Sequence, residues 1–244
     1  MLLALWSPKG GSATSVVAAA LALVSAGRQE TRLADLGGDQ PAILGLALQP
    51  SLSGPAEGLT GWLAAGPSAR TEWLDDMAVP VVPGLALLPL GSDVGAGVSP
   101  EAGAALAVAL RDRAMAVLDA GSGRDDGGAI RAAIEVADAP LMVIRPCYLA
   151  LRKAVGDPRL ARSAGAILVE DPGRALDAVD IAAVLGIPVV GRVPVRAEIA
   201  RAVDAGVLPD RLPDPLADCA AAILDRLADM AGGRWAALQT FSEQ

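Results

Sequence analysis

Short runs rich in Leu, Val and Ile alternate with Ala-rich or amphipathic stretches from one end of the sequence to the other, and that alternation restricts the chain to βαβ units around a parallel sheet. The runs at 2–6, 31–36, 85–88, 114–118, 141–144, 166–169 and 189–192 read as strands, several of them apolar on both faces. The stretches at 13–26, 41–48, 100–113, 127–137, 174–185, 196–205 and 215–230 read as helices. Gly27, Gly186 and Gly206 stand where helices end in a left-handed residue, a conformation that costs glycine little. Gly, Pro and Ser crowd the stretch 49–84, yet Trp62, Trp73 and Leu74 keep helix-compatible positions, which predicts two short helices there. The expected class is therefore α/β: a doubly wound, mostly parallel sheet with helices on both faces.

A chain of 244 residues with 53% hydrophobic content can bury one such core. We expect a single domain over 1–231 and a C-terminal tail over 232–244. The net charge of −8 sets a field that repels nucleic acid and anionic lipid, so no nucleic-acid partner is expected. The absence of histidine removes His-based triads and most zinc sites. Cys147 and Cys219 lie far apart without metal-ligand or redox spacing, and read as buried reduced thiols. The most apolar helical segment, 15–26, is too short to cross a bilayer, and Met1 runs straight into a core strand with no signal-peptide pattern. A cytoplasmic location is implied, with recruitment to the membrane or cell pole left to a partner. The segment 232–241 carries one positive charge, too few for an interfacial helix, so no stable membrane anchor is expected.

The first strand runs into Ser7-Pro8-Lys9-Gly10-Gly11-Ser12-Ala13-Thr14-Ser15 and then a helix. In that arrangement successive backbone amides and a helix N-terminus can wrap a phosphate. An ordinary phosphate loop adds a glycine that lets it curl, a lysine for the outer phosphates and a hydroxyl for magnesium. Those places hold Ala13, Thr14 and Ser15.

The segment resembles the deviant Walker A loop of the ParA/MinD family, K-G-G-x-G-K-[ST], in Lys9, Gly10, Gly11 and Ser15. It departs from that pattern at Ala13 and Thr14. The resemblance gives Lys9 the place of the signature lysine that reaches a dimer partner's nucleotide. It continues along the chain in order. Asp35 keeps the first aspartate of the family's D-x-D segment, while Gly37 replaces the second, which helps position the attacking water; Asp39 stands two residues on. The run 84–91 resembles the family's next strand and turn, and 116–121 its Walker B strand, with Asp119 at the magnesium-facing place. Glu170 stands where the family has an adenine-reading asparagine, and Pro194 where it has a proline beside the base.

The resemblance thus implies a nucleotide site at Lys9, Gly10, Gly11, Ser12, Ala13, Thr14, Ser15 and Pro194, with Ser15, Asp35 and Asp119 toward a metal, if that site is retained. Against this stand plainer readings. Lys9 reads equally well as a relic in a turn, Thr14 and Ser15 as helix-capping hydroxyls, and Asp119 as a turn cap. Asp125-Asp126 reads as a solvated helix N-terminus. Threonine at the lysine place supplies no charge to offset a triphosphate. With Gly37 at the aspartate place no catalytic residue is expected, and no cofactor. The leading expectation is a catalytically degenerate ParA/MinD-like protein, a pseudo-ATPase that localises or scaffolds a cell-envelope machine. The Gly58-Leu59-Thr60-x-Trp62-Leu63 helix is similar to members that accompany Tad/Flp pilus systems and to septum-site proteins. The implied partner is a protein of the pilus or division apparatus, with a homodimer as a further expectation. The alternatives are a slow ATPase or nucleotide-gated dimer switch using ATP and magnesium, and a DNA partition protein, which the acidic balance disfavours.

Overall fold

A computed structural model describes residues 1–47, 58–91, 98–112, 115–122 and 128–239. Eight strands form one sheet in the order β3-β4-β2-β5-β1-β6-β7-β8. They are β1 (Leu2–Trp6), β2 (Thr31–Asp35), β3 (Val79–Val82), β4 (Leu85–Leu88), β5 (Met115–Asp119), β6 (Ala139–Ile144), β7 (Gly165–Glu170) and β8 (Val189–Pro194). Every pairing is parallel except β3 with β4. The doubly wound class expected from the alternation is what the chain adopts.

The period of two along a strand sends neighbours to opposite faces. In β1, Leu2, Ala4 and Trp6 join one core and Leu3 and Leu5 the other. The first core lies under α3 (Gly58–Ala64), α4 (Glu72–Asp76), α5 (Pro100–Arg111), α6 (Ala129–Val136), α7 (Tyr148–Val155) and α8 (Ala178–Leu185). The second lies under α1 (Thr14–Ala26), α2 (Gln40–Ile43), α9 (Ala197–Asp204) and α10 (Asp214–Gln239). β1 is buried along its whole length, as a central strand covered on both sides must be.

Several elements differ from expectation for local reasons. β3 is a strand beyond those expected: Pro80 interrupts its apolar pattern and Pro83 follows it, and it lies at the sheet edge, where proline is tolerated. The helix expected over 41–48 ends at Ile43. Gly45 turns left-handed there, φ +64°, and meets Gly206 backbone to backbone: a Cβ on Gly45 would stand 2.1 Å from the Gly206 carbonyl oxygen. The helix expected from 174 begins at Ala178, because the Asp177 carboxylate accepts the Val179 and Asp180 amides while the Asp180 side chain accepts the Asp177 amide. Gly186 and Gly206 are left-handed as expected. Gly27 is not; at φ −70° it continues a right-handed turn in which Arg28 and Gln29 donate to the Ser25 carbonyl. The two short helices of the Gly/Pro-rich stretch are α3 and α4. The first is seated by a turn after β4, whose Pro89 and Leu90 carbonyls accept the Leu59 and Thr60 amides. The segments 48–57, 92–97 and 123–127 and the chain end 240–244 lie outside the described residues, as does the start of the 114–118 strand; α10 itself runs on to Gln239.

Candidate functional site

β1, β2 and β5 are adjacent parallel strands, so their C-terminal ends bring Trp6, Asp35 and Asp119 to one edge of the sheet. Ligands of open α/β sheets bind beyond such an edge. The loop after β1 crosses it before α1 begins. Its backbone curls through two left-handed residues: Gly11 lies at φ +78° and Ala13 at φ +64°. Ala13 is the one described residue other than glycine with a positive φ. The left-handed region costs an L-residue about 1–2 kcal/mol, and glycine's greater chain entropy returns part of that difference. Ala13→Gly is therefore expected to raise stability by about 0.5–1 kcal/mol in urea unfolding. An unchanged or lowered midpoint would mean that the loop holds Ala13 without strain.

The loop is pinned from within. The Ser7 and Ser12 hydroxyls both donate to the Lys9 carbonyl, at 3.1 and 2.8 Å. Lys9 is half-buried and its ammonium lies 3.4 Å from the neighbouring Gly10 carbonyl. Gly10, Gly11, Ser12, Ala13, Thr14 and Ser15 line a cavity of about 520 Å³ beyond the sheet edge. The opposite wall brings in Asp39 from the β2–α2 loop and Asp204 from the end of α9. Among the described residues around that cavity the charged side chains are these two carboxylates, with no lysine or arginine. Lys9 is not among the lining residues. Pro194 is not brought to this cavity either; it faces Glu170 across the β7–β8 ladder and lines a separate hollow of about 390 Å³. There Glu170 pairs with Arg192 at 3.4 Å.

Ser15, Asp35 and Asp119 do come together. Asp35 and Asp119 are fully buried and stand opposite each other in the β2–β5 register. Asp35 organises its own loop: one oxygen accepts the Gly37 and Gly38 amides at 3.0 and 2.7 Å, the other the Gln40 amide at 3.1 Å. Burial, then the neighbouring Asp119 charge, pushes the Asp35 carboxyl up to about 7 despite those three bonds. Asp119 accepts the Gly121 amide at 3.0 Å, which makes it a turn cap, and the Ser15 hydroxyl also bonds to it. Burial raises its carboxyl as well. Ser15 thus serves Asp119 instead of capping α1, whose N-cap residue makes no side-chain bond.

The residue sequence reasoning missed here is Gln40. Its side chain is fully buried, and its Nε2 donates to the Ser15 carbonyl at 2.9 Å and to Asp119 at 2.7 Å. Its Oε1 finds no donor among the described residues. A buried acceptor left unpaired costs about 1–3 kcal/mol, so the two bonds on the nitrogen fix the amide's orientation against that loss. Gly37 closes the remaining side: a Cβ there would stand 3.2 Å from an Asp119 oxygen. No local pattern announces a glutamine in this place. Among the described residues no group of three or more His, Cys, Asp or Glu side chains could hold a metal ion, and no helix is long and apolar enough to cross a membrane.

No family model matches the chain, and no curated protein matches it. Solved structures do. The septum site-determining protein MinD of Pyrococcus horikoshii, complexed with Mg-ADP, superposes with a TM-score of 0.74 at 16% identity, covering 95% of this chain and 97% of that one. The MinC:MinD cell division complex of Aquifex aeolicus gives 0.72 at 18% identity over 93% and 95% of the two chains. A ParA family ATPase of Chlorobium tepidum gives 0.71 at 21% identity over 93% and 97%. At these identities the likeness establishes the fold: this chain has the architecture of MinD and ParA.

Proposed function

We propose that this chain is a catalytically degenerate protein of ParA/MinD type, a localisation or scaffold factor that works by binding a protein partner and not by turning over ATP. The observation that carries the reading is the wall of the phosphate-loop cavity, where Thr14 stands at the lysine place and the described charged groups are Asp39 and Asp204. These residues do not fit a magnesium-bound triphosphate. Even with magnesium bound, about two net negative charges would enter a cavity already lined by two carboxylates, without a lysine or arginine among its described lining residues to offset them. The α1 N-terminus contributes only about half a positive charge. Asp119 is already committed to Gln40, Ser15 and Gly121. Gly37, at the place of the second aspartate, has no group to orient a water.

The MinC:MinD complex supports a protein partner as the ligand of a chain with this architecture. We assign the partner to a cell-envelope machine, Tad/Flp pilus assembly or septum-site placement, on the Gly58-Leu59-Thr60-x-Trp62-Leu63 helix, α3, which is seated on the turn after β4. A nucleotide-gated switch is the competing reading, favoured by the retained left-handed curl at Gly11 and Ala13. Thermal unfolding separates the two. A ligand at a hundred times its Kd adds about 2.7 kcal/mol of stability. Millimolar Mg-ATP is expected to leave the unfolding temperature of the wild type and of Lys9→Ala unchanged. A rise in the wild type that Lys9→Ala abolishes establishes the switch instead.

A further inference from the structure

We infer that the Gln40 side chain is a built-in counterpart for Asp119, a lock that holds the β2–α2 loop closed on the first turn of α1 with no bound ligand. This rests on the reading of the site as degenerate and adds its regulation: the loop has one constitutive state instead of one set by nucleotide. Asp119 is a fully buried carboxylate, and such a group needs donors on both oxygens. Gly121 serves one at 3.0 Å and the Gln40 amide the other at 2.7 Å. The same amide nitrogen ties down the Ser15 carbonyl at 2.9 Å, so one side chain bridges β5, α1 and the loop that carries it.

The loop's other contacts hold it in the same position. Asp35 gathers the Gly37, Gly38 and Gln40 amides, which aims the Gln40 side chain inward. Gly37 lies against the Asp119 carboxylate, where a Cβ would stand 3.2 Å from the nearer oxygen. Beyond α2, Gly45 is wedged against Gly206, so the loop is anchored at its far end by α9. Opening the loop exposes Asp119 only after both Gln40 bonds break. Gln40 is a positioning residue in this scheme; it touches no ligand.

The test is amide hydrogen exchange on the full chain, comparing wild type, Gln40→Met and Gln40→Lys. Methionine fills the same volume without a donor; lysine keeps a donor for both acceptors. In Gln40→Met the Gly37, Gly38 and Gln40-position amides are expected to exchange at least tenfold faster, while amides of β6 and β7 keep their wild-type rates. Gln40→Lys is expected to restore slow exchange in the loop. Unchanged loop exchange in Gln40→Met overturns the lock, and so does a rise shared equally by β6 and β7, since that marks general loss of packing. Failure of Gln40→Met to fold while Gln40→Lys folds with a slow loop upholds the donor's role; fast loop exchange in Gln40→Lys overturns it. Adding Mg-ATP to the wild type keeps the two readings apart. Nucleotide binding with an unaltered closed loop refutes the degenerate site and leaves the lock standing.

Discussion

Raising the pH from about 4 to about 7 is expected to weaken this fold, by about 2–4 kcal/mol, the reverse of ordinary acid denaturation. The cause is Asp35, whose carboxyl is moved from 3.8 to about 7 by burial and by Asp119 beside it. The unfolded chain releases that proton near 3.8 and the folded chain holds it until about 7, so between the two the folded state binds more protons. Stability then falls with rising pH: it is complete below the unfolded value and lost as pH climbs through the folded one. Asp119 is raised too and acts in the same direction. Asp157, lowered by the Arg159 guanidinium, changes stability only below this window. Urea midpoints across the range read the effect directly, and Asp35→Asn is expected to flatten the profile. A midpoint that rises between about 4 and about 7 would mean that Asp35 is ionised in the folded protein.

Gly103→Ala is expected to cost about 2 kcal/mol or more, although alanine is the better helix former by about 1 kcal/mol. Gly103 lies inside α5 where that helix meets the start of α6. A Cβ would fall 1.9 Å from the Ala129 carbonyl oxygen and 2.5 Å from its carbon. Both are backbone atoms, so the two helices must separate along the contact that covers Leu106, Ile130 and Ile134. Gly10→Ala is the control. Its nearest neighbour would be the Ser122 hydroxyl at 3.9 Å, on an exposed loop, and its effect is expected to stay within about 0.5 kcal/mol. Equal urea midpoints for the two variants would show that α5 and α6 do not pack backbone to backbone.

The class of fold was legible because strands buried on both faces carry uninterrupted apolar runs, and β1, β5 and β6 are such strands. Element ends were less so. α2 stops where Gly45 meets Gly206, a contact between distant parts of the chain that no local pattern signals. β3 needed its edge position to make sense of Pro80 within it. At the site, the motif order placed the loop, Asp35 and Asp119 in one neighbourhood, and the strand register explains why they meet. It did not place Pro194, whose hollow is separate, nor Lys9, which is not among the residues that line the cavity. Gln40 and Asp204 became visible only in three dimensions. The first acts through a loop folded around Asp35, and the second arrives from α9 across the cavity.

The central claim is that the cavity over α1 no longer accepts a triphosphate. Titration of the purified chain with a fluorescent ATP analogue and magnesium, with turnover followed on the same samples, tests it most directly. No saturable binding is expected up to millimolar nucleotide, and no phosphate release. Saturable binding, with or without hydrolysis, would contradict it and return the loop from Lys9 to Ser15 to service as a nucleotide site.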